Sequence, residues 1–243
     1  MPSVHEVFGR HYRGSAQALR LRSKPRYTLV TSREELHRVL GRDPYRLGLE
    51  LEGKKPLGGV IDLAEHGRPQ EGFLVFVNRT TSEYVHAAEA AHLAYAHLRK
   101  LLGEPVHLGV SEALDRLAQY KLALETRDVA QQRGLVHRFR EEEAEYFYPK
   151  REQTFGTAVM QHFREGGAIA HAAISGGLDT PERIGLLMLL LGRKRFAGRT
   201  ATEQVDYVRR LAERERRYEA KGKSYLAEYV KKLTRQGIIR HVS

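Results

Sequence analysis

Residues 26–125 mix short apolar runs with helical periodicities, and from Asp128 onward the apolar spacing is helical throughout. Residues 26–31 (RYTLVT) predict a strand. Ser32-Arg33-Glu34-Glu35 is a capping box that opens a short helix to about Leu40, closed by Gly41, and Asp43-Pro44 predicts a turn. Three further strands are expected at 45–52, 58–64 and 72–78, forming a meander. The run GFLVFVN at 72–78 is the most apolar and is expected at the centre. Thr80-Thr81-Ser82-Glu83 reads as a second capping box, opening a long helix from Ser82 to about Leu102 that Gly103 closes. A short strand at 106–110, a helix at 111–120 and an extended step at 123–124 complete this half.

The helical half breaks at Pro149, Gly166-Gly167, Gly176-Gly177 and Gly192. Thr180-Pro181 is a helix start, and Thr200-Ala201-Thr202-Glu203 is a third capping box, heading a charged helix to about Ala220. A last helix is expected over 224–236. Residues 1–24 carry five Lys/Arg around Tyr12 and little apolar pattern, so they read as a basic arm with a short helix from Ser15. The organisation expected is an arm (1–25), an α/β domain (26–126) and a helical basic domain (127–243).

Length and composition sharpen this picture. The chain has 243 residues, ample for a core, with 41% apolar and 29% charged residues, as in a globular protein. No apolar run is long enough to span a membrane, and no apolar leader opens the chain, so a cytoplasmic protein with no membrane partner is expected. The absence of cysteine excludes disulfides, zinc–thiolate sites and cysteine nucleophiles. Of the net charge of +11, +9 comes from residues 191–243, which hold fifteen Lys/Arg and six Asp/Glu. Such concentration points to a polyanionic partner, nucleic acid in the first place. Arg193, Lys194, Arg195, Arg199, Arg209, Arg210, Lys231, Lys232 and Arg235 are the cations expected to contact it, with Tyr and Phe between them for stacking. Glu213 and Glu215 alternate with Arg214 and Arg216, so part of this run reads equally as a solvated helix face.

The candidate chemistry centres on LGLELEG at 47–53. In a strand, Glu50 and Glu52 share one face, where they either hold a hard divalent cation or are solvated. With RYTLVTSREELHRVL before it and VHLGVSEALDRLAQYKLALE and ETRDVAQQ after it, residues 26–125 resemble the 3′–5′ exonuclease domain of the ribonuclease D type. The resemblance implies a ribonuclease H-like mixed sheet with flanking helices, followed here by an all-α basic region. It also implies Mg or Mn held by Glu50, Glu52 and Glu112, with Asp115 as a further acid, for phosphodiester hydrolysis. The chain departs from the family by placing Glu for Asp at Glu50, Glu112 and Glu125, and no final Tyr/His-to-Asp motif follows; Glu141-Glu142-Glu143-Ala144-Glu145-Tyr146 has the wrong spacing. The expected function is therefore nucleic-acid binding by a degenerate exonuclease-like domain. The alternatives are an active Mg-dependent nuclease, a winged-helix-like regulator built on residues 224–242, and a homo-oligomeric interaction protein without nucleic acid.

Three other constellations stand beside it. Asp43 with Glu52-Gly53-Lys54 is similar to the restriction-type nuclease pattern. Ser175-Gly176-Gly177-Leu178-Asp179-Thr180 resembles the phosphate loop of ATP pyrophosphatases, and reads otherwise as a Gly-Gly turn with Thr180 capping the next helix. His86, Glu89 and His92 share one face of the long helix, with His97 beyond them. This spacing either ligates a metal or lies at the solvent edge of a packed helix.

Overall fold

The computed structural model describes residues 2–41, 58–78, 81–148, 158–193, 196 and 199–242. The fold is mixed α/β: a small three-stranded mixed sheet with flanking helices, continued by a mostly helical C-terminal part. The expected strand at 45–52, with Glu50 and Glu52, lies outside the described residues, as do Lys194 and Arg195.

Strands β1 (Tyr27–Val30), β2 (Gly58–Asp62) and β3 (Phe73–Val77) are ordered β1-β3-β2. β1 runs parallel to β3, with Tyr27 opposite Phe73, and β2 runs antiparallel to it, with Val60 opposite Val75. The centrality expected of 72–78 holds among the described residues. Its cause is visible in the two faces. Phe73, Val75 and Val77 enter the main core, while Leu74 and Phe76 pack with Val30, Leu36 and Leu63 on the other side. A strand covered on both faces has no polar side, which is why its sequence does not alternate.

Helix α1 (Val4–Ala18) replaces the expected basic arm. Ser3 and Glu6 form a complete capping box, and Phe8, Tyr12, Ala16 and Leu19 form a buried stripe facing Tyr27 and the core. The apolar positions recur every third or fourth residue, but arginines between them dilute the pattern. Helix α2 (Arg33–Leu40) begins at Ser32 and ends at Gly41, whose φ of 64° suits glycine. Helix α3 (Glu83–Leu101) starts where expected, although the Ser82 side chain makes no capping hydrogen bond.

Helix α4 (Leu108–Glu125) corrects two expectations, because 106–110 is not a strand and 123–124 is not extended. Val110, Ala113, Leu114 and Leu117 form one buried helical stripe. A short apolar run such as 106–110 carries too few positions to distinguish the two periods. Helix α5 (Val129–Phe147) follows, and α6 (Ala158–Ser175) runs straight through Gly166-Gly167, which were expected to break it. A methyl group on Gly166 would overlap Glu112 and the Ala113 backbone, and one on Gly167 would overlap Glu142. The pair lets α6 lie close against α4 and α5, in return for a helix-propensity penalty of about 1 kcal/mol per glycine.

Helices α7 (Pro181–Leu191), α8 (Ala201–Glu219) and α9 (Tyr225–Arg235) close the structure. The turn at Gly176-Gly177, with Gly177 at φ 89°, leads to Thr180, whose side chain caps α7 by accepting from Arg183 N–H. The segment before it is helix, not the strand a phosphate loop requires. After α9 the chain does not form a wing strand. Val242 makes a parallel bridge to Leu21 instead, fixed by the pair Arg22 N to Val242 O (2.8 Å) and Val242 N to Arg20 O (3.1 Å). The main core runs from Phe8 to Ile239, so it continues across the boundary expected near residue 126. No helix among the described residues is long and apolar enough to cross a membrane.

Candidate metal centre

α3 and α4 each carry a polar pair spaced three residues apart, Glu89 with His92 and Glu112 with Asp115. That spacing puts both members on one helix face. The packing of α3 on α4 turns the two faces toward each other. One ligand atom each from His92, Glu112 and Asp115 then lies within 4.8 Å of the others. His92 Nε2 is 3.8 Å from Glu112 Oε1 and 3.6 Å from Asp115 Oδ2.

The remaining atoms of these side chains are held by neighbours. His92 Nδ1 lies 2.7 Å from Ser111 Oγ, which orients the ring. Arg116 Nη1 donates to Glu112 Oε2 at 2.7 Å, leaving Oε1 on the His92 side. Gln119 Nε2 donates to Asp115 Oδ1, leaving Oδ2 on the same side. Arg116 in turn forks onto Glu142 of α5, with Nε to Oε2 at 2.6 Å and Nη2 to Oε1 at 3.0 Å. Each carboxylate therefore has one oxygen hydrogen-bonded and one facing the imidazole, with Asp115 Oδ2 also 3.6 Å from Arg116 Nη1.

Glu89 completes the group. It is buried, it touches β2 where a side chain at Gly58 would overlap it, and its Oε2 has no hydrogen-bond partner among the described residues. Burial pushes its carboxyl up to about 8, with His92 pulling down and Asp115 and Glu112 pushing up. Burial disfavours the His92 imidazolium, but the surrounding carboxyls, Glu112 foremost, outweigh it and raise the ring to about 10. Burial also opposes ionisation of Asp115, yet His92, Arg116 and Gln119 hold it below the usual carboxylate range. The three ligand side chains of this cluster keep 11–16% of their surface exposed.

The structure separates residues that the sequence groups together. Of the acids assigned by the ribonuclease D resemblance, Glu112 and Asp115 stand in this centre. Glu125 does not: it pairs with Lys121 at 2.6 Å near the end of α4. Glu50 and Glu52 lie outside the described residues. Of the α3 histidines, only His92 joins. His86 is buried near His11 and Glu83, and His97 meets Ser23 at 3.1 Å. His86, Glu89 and His97 are buried rather than set at a solvent edge, because α1, the sheet and α4 cover α3 on most sides. The signal that could have found the centre is the repeat of an i, i+3 polar pair on two successive apolar helices.

The expected cations scatter as well. Arg193 is buried and donates to the Leu19 and Arg240 carbonyls at 3.1 and 3.2 Å. Arg199 lies over the Tyr207 ring at 4.9 Å, and Arg209 pairs with Glu143 at 2.9 Å. Arg210, Lys231, Lys232 and Arg235 are exposed.

Compared with known proteins, the chain matches no family model, no curated protein and no solved structure.

Proposed function

We propose that this protein binds one divalent cation through His92, Glu112 and Asp115 and uses it for metal-assisted hydrolysis, with Glu89 as the acid–base group. The observation that carries the reading is the convergence of the three ligand atoms. Two ligands at about 2.0–2.2 Å from one tetrahedral ion stand about 3.3–3.6 Å apart; the His92–Asp115 separation of 3.6 Å falls in that range and the His92–Glu112 separation of 3.8 Å is slightly wider. One imidazole nitrogen with carboxylate oxygens suits Zn²⁺, Mn²⁺ or Fe²⁺ better than Ca²⁺, which takes six to eight oxygens. The hydrogen bonds from Ser111, Arg116 and Gln119 fix the ligands in advance, as the outer partners of metal ligands do.

Without an ion, the raised His92 ring is an imidazolium paired with Glu112 and Asp115; binding a cation there displaces that proton, and Glu89 Oε2 has no hydrogen-bond partner among the described residues. Such an ion would polarise a substrate oxygen and acidify water. Glu89 sits one helical turn before His92, in surroundings that bring its carboxyl near neutral pH, where a general acid–base is most effective. The ribonuclease D resemblance supports the same reaction class and the same acid, Glu112, and includes Mn among its metals.

Metal binding is read directly. Protein stripped with chelator is expected to take up one Zn²⁺ or Mn²⁺ per chain by titration calorimetry and to unfold at a higher temperature with the ion. Both effects are expected to vanish in His92→Ala and in Asp115→Asn. Glu89→Gln is expected to keep the ion and lose metal-dependent cleavage of a panel containing unfolded protein and single-stranded nucleic acid. No uptake by the wild type would sink the centre. Metal uptake with no cleavage of either substrate class would reduce the reading to a structural ion.

A further inference from the structure

We infer that the groove between α8 and α9 is a docking surface for single-stranded nucleic acid, with bases on Tyr225 and Tyr229 and phosphates on Lys231, Lys232 and Arg235. The groove has a volume of about 740 Å³. Tyr225 and Tyr229, one turn apart on α9, are half-buried and nearly parallel, with ring centroids 5.6 Å apart at 11°. Arg214 of α8 crosses to them, donating to Tyr225 Oη at 2.7 Å and lying over its ring at 5.4 Å. Tyr207 Oη donates to Tyr229 Oη at 3.4 Å. Tyr218 also stands edge-on to Tyr225 at 5.2 Å, so these contacts hold the rings in place and a base would add to the outside of the Tyr225–Tyr229 stack rather than enter it.

Some helix cations are already engaged by carboxylates, whereas, among the described residues, those lining the groove are not. Arg116, Arg183 and Arg209 each pair with glutamates. Among the described residues, no carboxylate lies within ion-pair distance of Arg214, Lys231, Lys232 or Arg235, although Glu228 also lines the groove. α9 is anchored through buried Leu226, Val230 and Leu233, with Tyr225 and Tyr229 packed partly against the same core, so its cations are left on the open side. Unpaired cations attract phosphates, and fixed aromatic faces stack any base, which is the combination single strands require. A duplex hides its base faces, and a lipid surface offers charge with nothing to stack. The inference rests on this groove alone and is independent of the metal centre.

The probe is a labelled oligothymidylate of about twenty nucleotides, long enough to cross one such groove. The full-length protein is expected to bind it with an affinity that falls steeply with salt, and to lose tyrosine fluorescence on binding. The chain has no Trp, so tyrosine emission is readable. Lys231, Lys232 and Arg235 changed together to Ala are expected to weaken binding about tenfold and to lower the log–log salt slope by about 2. Tyr225→Leu is expected to weaken it about tenfold with the slope unchanged. Both variants are checked for an unchanged unfolding midpoint within a few degrees, and Tyr225→Phe, which keeps the ring, is expected to retain binding. No binding would overturn the inference. So would binding unaffected by either variant, equal affinity for duplex and heparin with unchanged tyrosine emission, or binding confined to vesicles containing phosphatidylserine.

Discussion

At the scale of single residues, burial decides what each polar group does. His97 shows this away from the metal centre. Burial and the charge of Lys100 lower its pKa, while its Nε2 meets Ser23 and its ring stands edge-on to Phe73. The fold favours the neutral ring. Its contribution is therefore complete above the unfolded value near 6.5 and is lost as pH falls through the lower folded value. In denaturant titrations at fixed ionic strength, the wild type is expected to lose more stability between pH 7.5 and 5.5 than His97→Gln does. Equal pH dependence of the two proteins would contradict this. None of it was legible in the sequence, where His97 is one of four histidines or acids on a helix face. Spacing says which residues share a face but not what covers it.

At the scale of elements, helix–helix closeness is set by glycine. Gly166 and Gly134 have the same chemistry in two different helices, α6 and α5. The first meets Glu112 and the Ala113 backbone, and the second has no other atom within 4 Å of where a methyl group would stand. Gly134→Ala is expected to stabilise the protein by roughly 0.5–1 kcal/mol, the helix-propensity gain. Gly166→Ala is expected to destabilise it despite the same gain, by roughly 1–3 kcal/mol of overpacking, and to weaken metal uptake by displacing Glu112. Urea unfolding of the two variants side by side checks both signs, and a stabilised Gly166→Ala would refute the close approach. Capping signals were the most readable feature at this scale. Ser32, Thr180, Thr200 and Ser224 all accept a capping N–H in the structure. Their interactions are local and need no partner helix.

At the scale of the whole molecule, residues far apart in the chain are joined by a buried arginine. Arg193 links the Leu19 and Arg240 carbonyls, next to the Leu21–Val242 bridge. Its charge had suggested a nucleic-acid contact, but its place is inside the core. Arg193→Ala is expected to lower stability by roughly 2 kcal/mol through two lost charge-assisted hydrogen bonds, while the exposed Arg210→Ala leaves it unchanged. Thermal unfolding of the two variants tests the distinction, and equal midpoints would refute the clasp.

The sequence by itself determined the elements whose causes are local: the capped helices, the apolar strand at 73–77, the Gly-Gly turn before α7 and the concentration of charge in the last fifty or so residues. It also singled out the residues that meet between α3 and α4, but on separate grounds, with Glu112 and Asp115 in one motif and Glu89 and His92 in another. Only the tertiary structure decided that these two pairs face each other, that α1 belongs to the core, and which cations are free. Those facts depend on the packing of α3 against α4 and α1, and of α8 against α9. A helix face carries the same residues whether it meets water or another helix, so its surroundings cannot be read from its spacing.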